Sequence, residues 1–136
     1  MEIKLNKHSG ACGCGLIEYI LNSEIKNIVN CHCNMCRHHN GASFSTYVVL
    51  PIKALEVRKG KELISEYKVG TGNKRFCSNC GTPLFNTNEK YPGACMIYLG
   101  TLNTVTDLLP KVNVWCESKL SWVDAISDIR SIAQGV

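Results

Sequence analysis

Nine cysteines stand in this 136-residue chain, and the spacing of seven of them limits the fold more than any other feature. Cys12-Gly-Cys14 is a C-x-C. Cys31-His-Cys33-Asn-Met-Cys36 is a C-x-C-x-x-C. Cys77-Ser-Asn-Cys80 is a C-x-x-C followed by Gly81. Cys95 and Cys116 stand alone within apolar runs and read as buried apolar residues. An odd cysteine count argues against a disulfide framework. The N-terminal MEIKLNKHSG lacks the apolar core of a signal peptide, and no apolar run approaches the length of a membrane span. These features predict a cytoplasmic chain with no membrane partner, whose thiols stay reduced and free to hold metal.

The grouped cysteines do not divide into fours, and the simplest partition is four plus three. A C-x-x-C turn aims both sulfurs at one point, and a glycine just after it lets the chain fold back. Cys12 and Cys14 complete a four-cysteine set with Cys77 and Cys80 without splitting the central triplet. Such a site ties the N-terminal region to the middle of the chain, which suits a small β domain with a limited core. Cys31, Cys33 and Cys36 remain. Three thiolates around Zn2+ leave a formal charge of −1, a weaker Lewis acid than a three-histidine zinc and better suited to a soft incoming thiol. Alternatively the second site is closed, with His32, His38, His39, Cys95 or Cys116 as its fourth ligand.

The rest of the sequence reads as one domain, residues 1–136, of mainly β class. Strand-like runs fall at Leu16–Leu21, Ala42–Leu50, Leu63–Val69, Lys74–Cys77, Ala94–Leu99 and Val112–Trp115, separated by Gly and Pro turn signals. Helix is scarce: one turn over Asn34–His39, another over Thr104–Leu109 with Thr104 as N-cap, and loose helical spacing over Ser121–Ile132. The formal net charge of +4 is dispersed, not gathered into a basic patch, so no nucleic-acid partner is expected.

Three strings carry a family resemblance: Gly10-Ala-Cys-Gly-Cys-Gly15, Cys31-His-Cys-Asn-Met-Cys-Arg37 and Arg75-Phe-Cys-Ser-Asn-Cys-Gly-Thr-Pro-Leu-Phe85. With Tyr98–Leu102, Val114-Trp115, Ser118-Lys119 and Trp122 they resemble the family of the glutathione-dependent formaldehyde-activating enzyme over roughly residues 8–123. The centromere protein V-type domain belongs to the same group. The resemblance implies an Mss4-like, tent-shaped, mainly β fold with two Zn2+ sites. Cys12, Cys14, Cys77 and Cys80 match its structural zinc. Cys31, Cys33 and Cys36 match its catalytic zinc. It implies glutathione as co-substrate and an aldehyde as partner, in a reaction classed as carbon–sulfur lyase. The alternatives are a glutathione carrier without turnover and a zinc-stapled interaction module. His38 and His39 depart from the small residues that more usually follow the Arg.

Glutathione bears a net charge of −1, so cations are expected near an anionic site. Arg37 after the triplet and Arg75 before Cys77 are the expected carboxylate partners, with Lys119 third. Each has an ordinary alternative as a solvated charge or a neutraliser of the zinc thiolates. His32, between two ligands, either accepts a proton from an incoming thiol or packs away from the metal. Trp115 and Trp122 either wall a pocket or, as the favoured expectation, pack in the core. Of Phe44 and Tyr47, strand alternation lets at most one line a cleft.

Overall fold

The structure, a computed structural model, describes residues 8–135. Ten strands form two sheets. A small antiparallel sheet contains β1 (His8–Ala11), β2 (Glu18–Leu21) and β5 (Leu55–Lys59), in the order β1-β2-β5. A large sheet contains β3 (Asn27–Cys31), β4 (Ser45–Pro51), β6 (Ile64–Val69), β7 (Gly72–Cys77), β8 (Pro83–Asn88), β9 (Ala94–Tyr98) and β10 (Val112–Val114). Its order is β10-β3-β4-β9-β8-β7-β6. All its pairings are antiparallel except β10 with β3, which sets Val114 beside Cys31. The single α-helix among the described residues, α1 (Asn34–Asn40), follows β3 and ends at Gly41, whose φ of 61° places it in the left-handed region open to glycine.

The two faces of the large sheet have different tasks. Ile28, Val48, Leu50, Phe85, Cys95 and Ile97 point to one face and pack against Ile17, Tyr19 and Leu21 from the small-sheet side. This is the main core, and each fully buried aliphatic side chain in it contributes about 1.5–3 kcal/mol. The alternate positions, Cys31, Tyr47 and Tyr98, lie on the other face as a second cluster with Cys33, Cys36, Met96 and Val114. The period-2 alternation of β-strands thus separates a packed side from a side that faces a cavity.

The mainly β expectation holds, with several changes of boundary. Local pattern does not pick out β1, β3, β5 and β8: HSGA, NIVNC, LEVRK and PLFNTN carry too many polar or small residues to stand out, and their pairing partners make them strands. Leu16 and Ile17 lie in the turn before β2, and Ala42–Phe44 bend between α1 and β4. Thr104–Leu109 is not helical. It holds a turn closed by Leu108 N–H to the Val105 carbonyl at 3.0 Å, because one turn before Pro110 cannot offset helix nucleation. Ser121–Ile132 forms only 3-10 turns over Val123–Asp128, broken at Ala125, with Ile126, Ile129 and Ile132 exposed. Without a buried face to stabilise it, the segment does not become an α-helix. No helix among the described residues is long and apolar enough to cross a membrane.

Candidate functional site

Two thiol groups assemble from the sequence. The first joins Cys12, Cys14, Cys77 and Cys80, whose sulfurs all lie within 4.8 Å of one another. Its two knuckles are built alike. In one, Gly81 N–H bonds the Cys77 carbonyl at 2.8 Å and Gly81 has φ 79°. In the other, Gly15 N–H bonds the Cys12 carbonyl at 3.0 Å and Gly15 has φ 77°. Both turns need the left-handed backbone that glycine adopts without strain. Thr82 links them: its hydroxyl accepts from Gly13 N–H at 2.9 Å and lies 3.1 Å from Cys80 Sγ. That contact holds the exposed Cys80 thiol down to about 5, while burial pushes Cys77 up to about 11.

The second group is Cys31, Cys33 and Cys36, again within 4.8 Å of one another. Cys31 ends β3. Cys33 is the N-cap of α1, its sulfur accepting from Cys36 N–H at 3.2 Å, and Cys36 sits in the first turn. Cys31 and Cys36 sulfurs are 3.7 Å apart. Their contact draws Cys31 down and, with burial, drives Cys36 up, as expected of two thiols sharing one proton. No fourth side chain joins this group among the described residues.

Both groups fit zinc. Thiolates at about 2.3 Å in a tetrahedron lie about 3.8 Å apart. The Cys12–Cys14, Cys14–Cys77 and Cys31–Cys36 sulfurs are separated by 3.5, 3.9 and 3.7 Å. The groups differ in what surrounds them. The triplet opens into a cavity of about 690 Å3 on the second face of the large sheet, whereas none of the four cysteines of the first group lines it.

One wall of the cavity is a hydrogen-bonded network of side chains from α1, β4, β7, β8 and β9. The Tyr47 hydroxyl donates to Cys36 Sγ at 3.4 Å. Tyr98 donates to Asn40 Oδ1 at 2.9 Å and accepts from Asn86 at 3.0 Å. Asn40 Nδ2 donates to Ser45 Oγ at 2.7 Å and to Tyr47 at 3.3 Å. Lys74 Nζ donates to Asn40 Oδ1 at 2.7 Å. The Tyr47 and Tyr98 rings meet edge to face at 4.9 Å. Burial raises both phenols, first among the causes, so they remain protonated donors. Val29, Val49, Met96 and Val114 give the rest of the lining an apolar character.

Residues 7–118 match the family model described as glutathione-dependent formaldehyde-activating enzyme. The chain belongs to this family. A crystal structure of a Rhodobacter sphaeroides protein shares the fold at a TM-score of 0.63 and 24% identity, covering 77% of this chain and 97% of its own. The fold is accordingly mainly β and Mss4-like, with two cysteine clusters able to hold metal.

The basic residues expected at the site lie elsewhere. Arg75 points to the core face: it pairs with Glu66 at 3.3 Å, donates to Thr87 at 2.6 Å and covers the Phe85 ring at 5.2 Å. Its neighbour Lys74 lines the cavity instead. Arg37 does not line it either, and its Nε is buried without a partner. Lys119 pairs with Asp124 at 2.9 Å. His32 is buried against Phe44 at 5.0 Å, with Nε2 3.3 Å from Asn113 Oδ1, so it packs outside the thiol group. His38 and His39 are exposed and join neither thiol group, but His39 lines the cavity and meets the Tyr67 ring at 5.8 Å.

Tyr47, not Phe44, lines the cavity. Trp115 is 60% exposed and lines the cavity, the pocket-wall alternative rather than the favoured core position, and Trp122 is exposed and does neither. Trp115 adopts φ 58° where β10 ends, and the chain there turns outward. Cys95 is fully buried as expected, but Cys116 is exposed. Sequence reasoning missed Asn40, Lys74, Asn86 and Tyr98. Their only signal was nearness in sequence to the thiol motifs: Asn40 ends the helix begun at Cys33, and Lys74 and Asn86 flank Cys77 and Cys80.

Proposed function

We propose that the chain is a zinc-dependent enzyme of the carbon–sulfur lyase type that makes and cleaves S-hydroxymethylglutathione or a related glutathione–aldehyde adduct. One observation carries this reading: a three-thiol group, lacking a fourth side-chain ligand among the described residues, opens onto a cavity large enough for a tripeptide. Membership of the family supports the choice of glutathione and formaldehyde.

Cys31, Cys33 and Cys36 would hold the reactive zinc, and Cys12, Cys14, Cys77 and Cys80 a structural one. Zinc at the triplet would supply a soft Lewis acid that favours the thiolate form of an incoming thiol. In the synthetic direction the thiol sulfur's electron pair forms the bond to the carbonyl carbon. The carbonyl π pair moves to oxygen, and the proton released by the thiol ends on that oxygen. The reverse reaction breaks the same carbon–sulfur bond. The protein's own part is positioning. The apolar walls exclude water, α1 and β3 fix the three sulfurs, and Tyr47 orients Cys36 by its hydrogen bond. The uncatalysed addition is facile, so the required barrier reduction is small. The same proposal places the chain in the cytoplasm, where the grouped thiols stay reduced, with a small thiol and an aldehyde as its partners and no nucleic acid or membrane.

The test is a calorimetric titration of glutathione into the zinc-loaded protein, with Cys33→Ser in parallel. Saturable binding that the variant loses is expected, followed by accelerated adduct exchange with labelled formaldehyde. A protein that holds two zincs and binds no glutathione would sink the proposal. Binding without acceleration would make the chain a thiol carrier instead of an enzyme.

A further inference from the structure

The cavity carries a cation that the triplet does not explain. Lys74, on β7, is half-buried and lines the cavity wall. Its ammonium donates one hydrogen bond, to Asn40 Oδ1 at 2.7 Å, and an ammonium has three to give. Among the described residues it forms no ion pair, and no Asp or Glu lines the cavity. Burial lowers its pKa by more than the charge of nearby Cys36 raises it, so the ammonium has left water with only partial compensation. Lys90, the other lysine at the cavity, is exposed at its edge, where solvent screens it.

The lysine is also held in place. Asn40 fixes it while bonding Ser45, Tyr47 and Tyr98, so the side chain is anchored to the same network that reaches Cys36. The route from Lys74 Nζ to Cys36 Sγ runs through the Asn40 amide and the Tyr47 hydroxyl in three hydrogen bonds of 2.7, 3.3 and 3.4 Å. A peptide thiol whose carboxylate lies one or two residues away covers a comparable span, at roughly 3.5 Å per residue plus side-chain reach. A preorganised, partly desolvated ammonium with two donors left and no carboxylate partner is suited to a carboxylate.

We infer that Lys74, anchored by Asn40, is the specificity-determining group that reads a carboxylate of the bound thiol, so that the cavity selects anionic thiols over neutral ones. The inference rests on the thiol-binding reading above and assigns it a substrate class: a thiol with a carboxylate one or two residues from its sulfur. It also transfers the carboxylate-reading role from Arg37 and Arg75, which do not line the cavity, to a residue that does.

The experiment compares glutathione, its diethyl ester and 2-mercaptoethanol as ligands of the zinc-loaded protein by calorimetry, for the wild type, Lys74→Met and Cys33→Ser. In the wild type the ester is expected to bind roughly tenfold or more weakly than glutathione. Lys74→Met is expected to lose a similar factor for glutathione and to leave the ester and 2-mercaptoethanol unchanged. Equal affinity of the wild type for glutathione and its ester would overturn the inference without any variant having to fold. Undiminished glutathione binding by Lys74→Met, or equal weakening for all three ligands, would also overturn it while leaving thiol binding intact. If the wild type binds none of the three, the underlying thiol reading fails and the inference fails with it. Loss of all three in Cys33→Ser alone separates sulfur capture from carboxylate recognition.

Discussion

Asn40 is the most connected side chain of the cavity wall, bonded to Ser45, Tyr47, Lys74 and Tyr98. Replacing it with alanine removes the side-chain hydrogen bonds of Lys74 and Ser45 and one of those made by each of Tyr47 and Tyr98. Asn40→Ala is therefore expected to lower stability by about 2–3 kcal/mol, read from the urea midpoint at constant slope. Tyr19 gives a pH-dependent prediction. Its hydroxyl meets Thr101 at 2.6 Å, and burial lifts it to about 12. An unfolded tyrosine ionises near pH 10. The unfolded chain thus gains by ionising first, so this contribution is complete below about pH 10 and is lost as pH rises through about 12. Tyr19→Phe should lose less stability than the wild type between about pH 9 and pH 11. An identical loss in both proteins would contradict the assignment. At this scale the sequence disclosed the two thiol groups, because their spacing is local and each motif folds within a few residues. It did not disclose Lys74. Arg75 and Lys74 are adjacent, and the better carboxylate binder of the two is the one expected at the site. One step along a strand reverses the face, and only the pairing of β7 with β6 and β8 decides which residue meets the cavity.

Among the elements, β1 depends most on a neighbour. A Cβ at Gly10 would collide with the Tyr19 ring and lie 2.7 Å from the Thr101 carbonyl oxygen. Gly10→Ala is expected to destabilise by about 1–3 kcal/mol, and hydrogen exchange should show β1 and β2 opening before the large sheet. Uniform loss of protection across both sheets would contradict the local account. The unforeseen strands share one physical cause. β1, β3 and β8 gain their conformation from ladders with the strands next along the chain, and β5 from a ladder with the distant β2; no local propensity reports either kind of pairing. The helical spacing of Ser121–Ile132 misleads for the complementary reason: it has period but no surface to bury against. Asn34–His39 is legible because the thiol motif, the Cys33 cap and Gly41 all lie close together in the chain.

In the whole molecule the two thiol groups have unequal structural weight. Cys12 and Cys14 precede β2, and Cys77 and Cys80 join β7 to β8, so a metal held there would tie the small sheet to the large one. The triplet lies on a single edge of the cavity. Cys12→Ser is expected to lose one metal per chain and most of the cooperative melting transition. Cys33→Ser should also lose one metal but keep a cooperative transition, lowered by a few degrees. Metal analysis combined with calorimetric melting checks this pair, and comparable melting of the two variants would refute the division of labour. The order of the groups along the chain has a further consequence during synthesis. All three thiols of the triplet have left the ribosome once residue 36 emerges, yet the four-cysteine group is incomplete until residue 80, and β10, whose Val114 completes the cavity lining, comes later still. A nascent chain therefore presents an accessible three-thiol metal trap well before it has a shelter for it. Under the proposed zinc role, metal supply and thiol protection at the point of translation become part of making this protein correctly.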